Sequence, residues 1–278
     1  MQAGIERYIS NKTAQFRFYF LQTVCYNSKV MKNAELLKNE HIEILGNDIG
    51  VIVSDEHTFG TDAMLLASFA APKRHDLACD LGTGCGIIPL LWARDEKCSE
   101  IYAVEIQEKG FNQLERSIQA NSLSEKLTAI NSDLRELQGR VEFGRFDLVT
   151  MNPPYKKENA GIVSEKTNEQ IARHETACNF EDICLTASKL LKFGGRFCIC
   201  IRPERLFEMM QTMAGFRLEP KRMRLVKSRA DEKPWLCLIE ARLGGKSGLT
   251  VEKDFVLYKN KDSYTDEMNS ILYLYRKD

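Results

Sequence analysis

The run Leu77-Ala78-Cys79-Asp80-Leu81-Gly82-Thr83-Gly84-Cys85-Gly86, followed at once by Ile87-Ile88-Pro89-Leu90-Leu91-Trp92-Ala93, most constrains what this chain can fold into. A short apolar run ending in alternating glycines reads as a buried strand entering a tight turn, and the apolar stretch behind it as a helix. Pro89 is compatible with that helix, because amide hydrogens of the first turn have no intrahelical partner. Such a strand, turn and helix open a nucleotide-binding α/β unit.

The dinucleotide fingerprint would place a third glycine at position 87, where this chain has Ile, so a pyrophosphate clamp fits poorly. A ligand without phosphates, such as S-adenosylmethionine, fits better, with Gly82, Gly84 and Gly86 letting the backbone approach its methionine portion. Ile101-Tyr102-Ala103-Val104-Glu105 is a second strand ending in an acid, one βαβ unit on, where the ribose-binding acid of such folds stands. Leu127-Thr128-Ala129-Ile130-Asn131-Ser132-Asp133 is a third strand. Its Asp133 is read either as the acceptor for the cofactor's adenine amino group or as a helix N-cap.

Asn152-Pro153-Pro154-Tyr155 ends the apolar run Phe146-Asp147-Leu148-Val149-Thr150-Met151. The tetrapeptide also suits an ordinary turn. Behind a strand, however, the Asn152 side-chain oxygen and the Pro153 carbonyl can each accept a hydrogen from an exocyclic NH2, while Tyr155 stacks on the base that carries it. Consecutive prolines hold those acceptors still. Glycine turn, two strand-end acids and this strand end, in that order, indicate a class I S-adenosylmethionine-dependent methyltransferase with an α/β, Rossmann-like, doubly wound sheet. Asn152, Pro153 and Tyr155 are the catalytic candidates. Thr61, Asp80, Gly82, Gly84, Gly86, Glu105, Asp133 and Asn152 are the cofactor-binding ones.

The rest of the chain is organised around that domain. Residues 1–30 carry four Lys/Arg and one Glu among scattered aromatics, without a clean period, and Met31 reads as a fresh start. The expectation is a non-native or disordered extension over 1–30, a small element over 31–70, the methyltransferase domain over 71–258 and a tail over 259–278. In the small element, Ile42 to Val53 reads as a hairpin turning at Gly46-Asn47-Asp48, followed by a helix capped by Thr61 or Asp62. It would close over one end of the cofactor cleft or cover a sheet edge. The polar stretch Lys156 to Ala172 is long for a connection and suits a lid or substrate segment. It ends in Arg173-His174-Glu175, with Arg173 as a phosphate or loop clamp and His174 as a structural or stacking residue. A helix stopped by Gly194-Gly195, a fifth strand Arg196–Ile201, a helix from Pro203 to Ala214, and an antiparallel pair over Phe216–Val226 and Pro234–Arg242 follow.

Thirty-nine basic residues balance thirty-nine acidic ones over 278 residues, which gives no global electrostatic footprint for nucleic acid. A local excess lies between Glu219 and Lys233, where Arg222 and Arg224 share a strand face that either follows a phosphate backbone or protects an edge strand. Nine Cys in mostly apolar contexts, without a Cys-x-x-Cys pair, indicate reduced buried thiols in a cytoplasmic protein rather than disulfides or a metal site. Cys85 is either a reactive thiol or a small filler. No stretch reaches the length of a membrane span.

Phe59-Gly60-Thr61-Asp62-Ala63-Met64-Leu65-Leu66, Asp80 to Gly86, Asn152-Pro153-Pro154-Tyr155, Ala172-Arg173-His174-Glu175 and Arg202-Pro203-Glu204-Arg205-Leu206 together resemble the bacterial tRNA (adenine-N6) methyltransferases. The similarity runs from about Met31 to Tyr258. It implies a seven-stranded doubly wound class I methyltransferase sheet with its last strand antiparallel, S-adenosylmethionine as donor, N6 of adenine 37 in a valine tRNA as acceptor, cofactor roles for Asp80, Gly82, Gly84, Glu105 and Asp133, and acceptor-nitrogen roles for Asn152 and Tyr155. A tRNA-binding monomer without metal is expected. The rival readings are a protein-glutamine N5 methyltransferase, an rRNA or DNA amino-methyltransferase, and a cofactor-binding RNA module without catalysis.

Overall fold

The structure is a computed structural model that describes residues 31, 34–55, 57–153, 178–261 and 263–273. Its first element is the expected hairpin, β1 (Glu40–Gly46) paired antiparallel with β2 (Ile49–Ser54). Asn47 and Asp48 turn it with φ of 49° and 58°, a left-handed pair that Asn and Asp tolerate better than other side chains. Helix α1 (Thr61–Ala70) follows and is buried on nearly every side. Gly60 is its N-cap and no side chain caps it. Thr61 is already helical, and the Asp62 carboxylate accepts from the neighbouring Ala63 amide at 3.0 Å, so neither is the expected cap.

Alternating strands and helices come next: β3 (Asp76–Leu81), α2 (Ile87–Arg94), β4 (Cys98–Glu105), α3 (Glu108–Ala120), β5 (Leu127–Asn131) and β6 (Phe146–Met151). After the undescribed 154–177 stand α4 (Phe180–Leu190), β7 (Leu191–Ile201), α5 (Leu206–Gly215), β8 (Leu218–Lys227), β9 (Leu236–Leu243), two short strands β10 (Thr250–Val251) and β11 (Phe255–Val256), and α6 (Asp266–Tyr273). Helix α4 starts on a reciprocal capping box between Asn179 and Asp182. It ends at Leu190, so Gly194 and Gly195 do not stop it as expected: they fall inside β7, where the register against β6 shifts.

The main sheet runs β10-β8-β9-β7-β6-β3-β4-β5. Strands β3 to β7 are parallel, and β9 is antiparallel to both β7 and β8. The seven strands β3 to β9 are therefore the expected sheet, to which β10 and β11 add two residues each along β8. The strand order reverses at β3, with β4 and β5 on one side and β6 and β7 on the other. That switch opens a crevice beyond the C-terminal strand ends, where open α/β sheets take ligands.

Alternation along the strands builds two cores. Ala78, Ala103, Leu148 and Cys198 face α1, α2 and α3, while Cys79, Val104, Val149, Phe197 and Ile239 face α4 and α5. Leu45, Val51 and Val53 of the hairpin belong to the first of these cores. The hairpin lies across α2 and α3 rather than over a sheet edge. Ser117 Oγ accepts from the Ile52 amide at 3.0 Å, and the Asn121 carboxamide accepts from Gly50 N at 3.0 Å and donates to Gly50 O at 2.7 Å. Arg116 holds both Glu40 oxygens at 2.7 Å, and Arg94 donates to Leu45 O at 2.7 Å.

Candidate cofactor and acceptor site

Beyond the last residue of β3, Gly82, Gly84 and Gly86 take φ of 63°, 60° and 89°, values that cost any other residue strain. Gly86 is the N-cap of α2, and a Cβ there would stand 2.3 Å from Leu114 Cδ1. A Cβ on Gly84 would meet nothing within 4 Å. The turn is thus pressed against α3 on one side and open on the other, the shape needed for a ligand that lies against backbone.

Glu105 ends β4 and is only 3% exposed. Its Oε2 accepts from the Gly84 amide at 2.7 Å and its Oε1 from the Gln107 amide at 2.8 Å. Acid and glycine turn are therefore one unit, and each oxygen keeps a second lone pair for a ligand hydroxyl. Gly110, in the first turn of α3, lies where a Cβ would come within 3.3 Å of both Gly84 O and Glu105 Cγ. Beside them Ile106 leaves an aliphatic side chain on the rim, with the residue 48% exposed.

Asp80 points to the face of the sheet that α1 covers, in register with Thr150 of β6, whose hydroxyl donates to Asp80 Oδ1 at 2.6 Å. Burial pushes the Asp80 carboxyl up to about 7, against the opposing pull of that hydroxyl. Asp133 caps the 3₁₀ turn Leu134–Glu136 by accepting from Arg135 N at 2.9 Å. The Arg135 guanidinium holds its carboxyl below the usual carboxylate range. The N-cap reading of Asp133 is thus observed, and its oxygens lie with Arg135.

Thr61 opens α1, whose other end is fixed at the starts of the strands. Arg196 donates to Ala70 O at 2.7 Å and Arg222 to Phe69 O at 2.6 Å, and both guanidinium groups pair with the buried Glu240. Helix α1 therefore runs from the C-terminal strand ends downward, which brings Gly60 and Thr61 to the crevice side.

Asn152 follows β6 directly, half-buried, with Pro153 buried behind it. The Cys200 thiol of β7 donates to Asn152 Oδ1 at 3.0 Å. β6 and β7 are parallel with Thr150 opposite Cys198, so the next residues on that face are Asn152 and Cys200. Tyr155, Arg173 and His174 lie outside the described residues. Arg222 also stacks on the Phe69 ring at 3.9 Å. Arg224 binds both Glu267 oxygens, at 2.6 and 2.7 Å, and stacks on Phe255 at 4.9 Å. The two arginines, read as following a phosphate backbone or protecting an edge strand, are tied to α1 and α6.

Cys85 is buried, and that burial pushes its thiol up to about 12, so it fills space rather than reacting. Among the described residues no three His, Cys, Asp or Glu side chains gather into a metal site, and no helix is long and apolar enough to cross a membrane. Thr150, Ile106, Gly110 and Cys200 belong to the site and were missed in the sequence. Gly110 had left a signal, since glycine inside a helix costs stability unless close packing requires it.

A sequence model of the methyltransferase small domain matches residues 43–213. A tRNA1(Val) (adenine(37)-N6)-methyltransferase of Dyadobacter fermentans is 27% identical over 210 residues, covering 74% of this chain and 84% of the relative. One of Flavobacterium psychrophilum is 30% identical over 170 residues, covering 60% of this chain and 71% of the relative. A solved structure from Agrobacterium tumefaciens, described as a predicted O-methyltransferase, superposes with a TM-score of 0.63 at 23% identity, over 77% of this chain and 96% of its own. That likeness concerns the fold.

Proposed function

Because the chain belongs to the methyltransferase small domain family, and within it to the family of the tRNA1(Val) (adenine(37)-N6)-methyltransferases, we propose that it methylates the N6 amino group of an adenine in tRNA. The acceptor read from the relatives' names is adenine 37 of a valine tRNA. The observation that carries this reading is the position of Asn152: a carboxamide at the end of β6, beside the glycine turn, followed by a buried proline.

The residues present fit S-adenosylmethionine. Gly84 offers open space above bare backbone, Glu105 faces the turn, and Ile106 lays an apolar surface beside it. When bound, this donor supplies a methyl group on a sulfonium, which reacts with a neutral amine without prior deprotonation. Gly82, Gly84, Gly86 and Thr61 would line its methionine side and Glu105 would accept from its ribose, with Asp80 supporting the turn from below. The Asn152 side-chain oxygen and the Pro153 carbonyl would each accept one hydrogen of the acceptor NH2, leaving the nitrogen lone pair aimed at the methyl group. Tyr155 would stack on the base. Catalysis is then mainly positioning.

Arg222 and Arg224 have no part in this reading, since their guanidinium groups already hold α1 and α6. The test is methyl transfer from labelled S-adenosylmethionine to bulk tRNA lacking the modification, followed by nucleoside analysis. Label in N6-methyladenosine is expected. Label in a protein fraction with none in tRNA would replace the reading with a glutamine methyltransferase.

A further inference from the structure

We propose that the loop between β9 and β10, with Arg217 and Phe193 beside it, is a second contact for the tRNA, holding its sugar-phosphate backbone and a stacked base far from the reacting adenine. The inference rests on the reading that tRNA is the substrate. Elsewhere on this side of the sheet the cations are paired: Arg196, Arg222, Arg224 and Lys227 each hold a carboxylate. At the end of β9 they are not. Among the described residues no carboxylate stands within 4.0 Å of Arg217, Lys221 or Lys246. Arg242 reaches Glu240 only at 4.0 Å, and that acid is already held by Arg196 and Arg222.

The loop is fixed from both sides. Arg217 takes a left-handed φ of 60°, its carbonyl accepts from the Gly244 amide at 2.8 Å, and Leu218 stands in register with Leu243. Lys221 Nζ donates to Lys246 O at 2.8 Å. Between the end of α5 and this loop lies a cleft lined by Ala214, Arg217, Leu218, Glu219, Gly244 and Gly245, with Glu219 as the acid among them. A Cβ on Gly244 would stand 2.3 Å from Phe193 Cε2, so the glycine lets that ring sit against loop backbone, where the residue is still 76% exposed. Four cations around one acid, beside an exposed aromatic ring, match RNA on both counts: the cations suit phosphates and the ring face suits an unstacked base. The patch lies at the opposite end of the strands from Asn152. β8 and β9 are ten and eight residues long, which separates patch and crevice by roughly 25 to 30 Å. One nucleotide cannot span that distance and a folded tRNA can.

The test uses the full-length protein with an Arg242→Gln, Lys246→Gln double change, which leaves the Lys221 bond to the loop intact, the same pair with Lys221→Gln added, and Phe193→Ala alone. Binding of unmodified tRNA is measured from about 50 to about 200 mM salt, together with steady-state methylation, donor affinity by calorimetry and thermal unfolding. The double variant is expected to bind tRNA about tenfold more weakly, with the slope of log affinity against log salt shallower by about 1.5 to 2, and the triple variant by about 2 to 3. Phe193→Ala should bind about tenfold more weakly with an unchanged slope. The rate at saturating tRNA, donor affinity and melting temperature should stay near wild type, so that the loss falls on KM for tRNA.

Wild-type tRNA affinity and salt slope in the double and triple variants would overturn the proposal, as would a loss of affinity in them that leaves the slope unchanged. Binding and methylation are read separately, which distinguishes the two possible failures. A wild type that binds tRNA through these residues without methylating it would overturn the proposed reaction and keep the surface; one that methylates tRNA while the variants bind normally would do the reverse. A wild type that binds no tRNA would overturn both.

Discussion

At the glycine turn Glu105 accepts from backbone amides, whereas at the end of β6 the Asn152 carboxamide meets a side chain. Glu105 accepts from the amides of Gly84 and Gln107, and Gly86 and Gly110 bring main chain and helix to the closest approach a residue allows. Asn152 instead meets a thiol from the next strand. Backbone partners are present whatever residue supplies them, so the cofactor half depends on glycines and one acid. The acceptor half depends on the Asn152 side chain as well as on the backbone carbonyl of Pro153. Substitutions in the first half should therefore be felt in folding and donor binding, and those in the second in turnover.

The severest way to break the contrast is Gly86→Ala. Its methyl group would overlap Leu114 and its φ of 89° disfavours any Cβ, so a loss of about 3 to 5 kcal/mol of stability is expected from left-handed strain and overpacking together. Urea unfolding checks it, and adding Leu114→Ala should restore only the part due to overlap.

Asp80 provides the next largest effect, and it depends on pH. Its carboxyl titrates at about 7 in the fold against an ordinary value of 3.8. The folded state thus holds a proton that the unfolded chain has lost, and this contribution to stability declines as pH rises from about 4 to about 7. Asp80→Asn should flatten that decline and leave the variant more stable than wild type above pH 7 by on the order of 3 kcal/mol. Melting curves from pH 4 to 8 would show it, and parallel curves for the two proteins would contradict it.

Replacing Glu105 with Gln presents an NH2 where one backbone amide now donates, leaving a buried donor unpaired at a cost of about 1 to 3 kcal/mol. Donor affinity should fall at least tenfold. The smallest effect is expected far from the crevice: Arg224→Ala breaks a pair whose Glu267 carboxylate is half exposed and should cost no more than about 1 kcal/mol, with tRNA affinity unchanged in a filter-binding assay. A large loss of tRNA affinity there would return Arg224 to the substrate face.

The same contrast explains how much of the molecule was legible. The glycine turn, Glu105 and the end of β6 could be read because their chemistry is local: a strand, a bend and an acid at the distance one βαβ unit sets. The hairpin was visible in Asn47 and Asp48, but its seat was not, because Ser117 and Asn121 look like ordinary surface residues of a helix until they meet the backbone of β2. Arg222 and Arg224 showed their shared face and hid their partners, since Glu240 and Glu267 are 18 and 43 residues away. Cys200 was unreadable for the same reason: in Cys198-Ile199-Cys200 it looks like core, and its polar partner stands 48 residues earlier.

The most direct measurement compares Asn152→Ala with Glu105→Gln, taking donor affinity by calorimetry and single-turnover methylation of tRNA at saturating donor. The account predicts that Asn152→Ala lowers the rate by about 10² to 10³ with donor affinity within about twofold, and that Glu105→Gln does the reverse, weakening donor binding while the saturated rate stays within about threefold. Loss of affinity and rate together in either variant would contradict the division of the cleft into a cofactor half and an acceptor half.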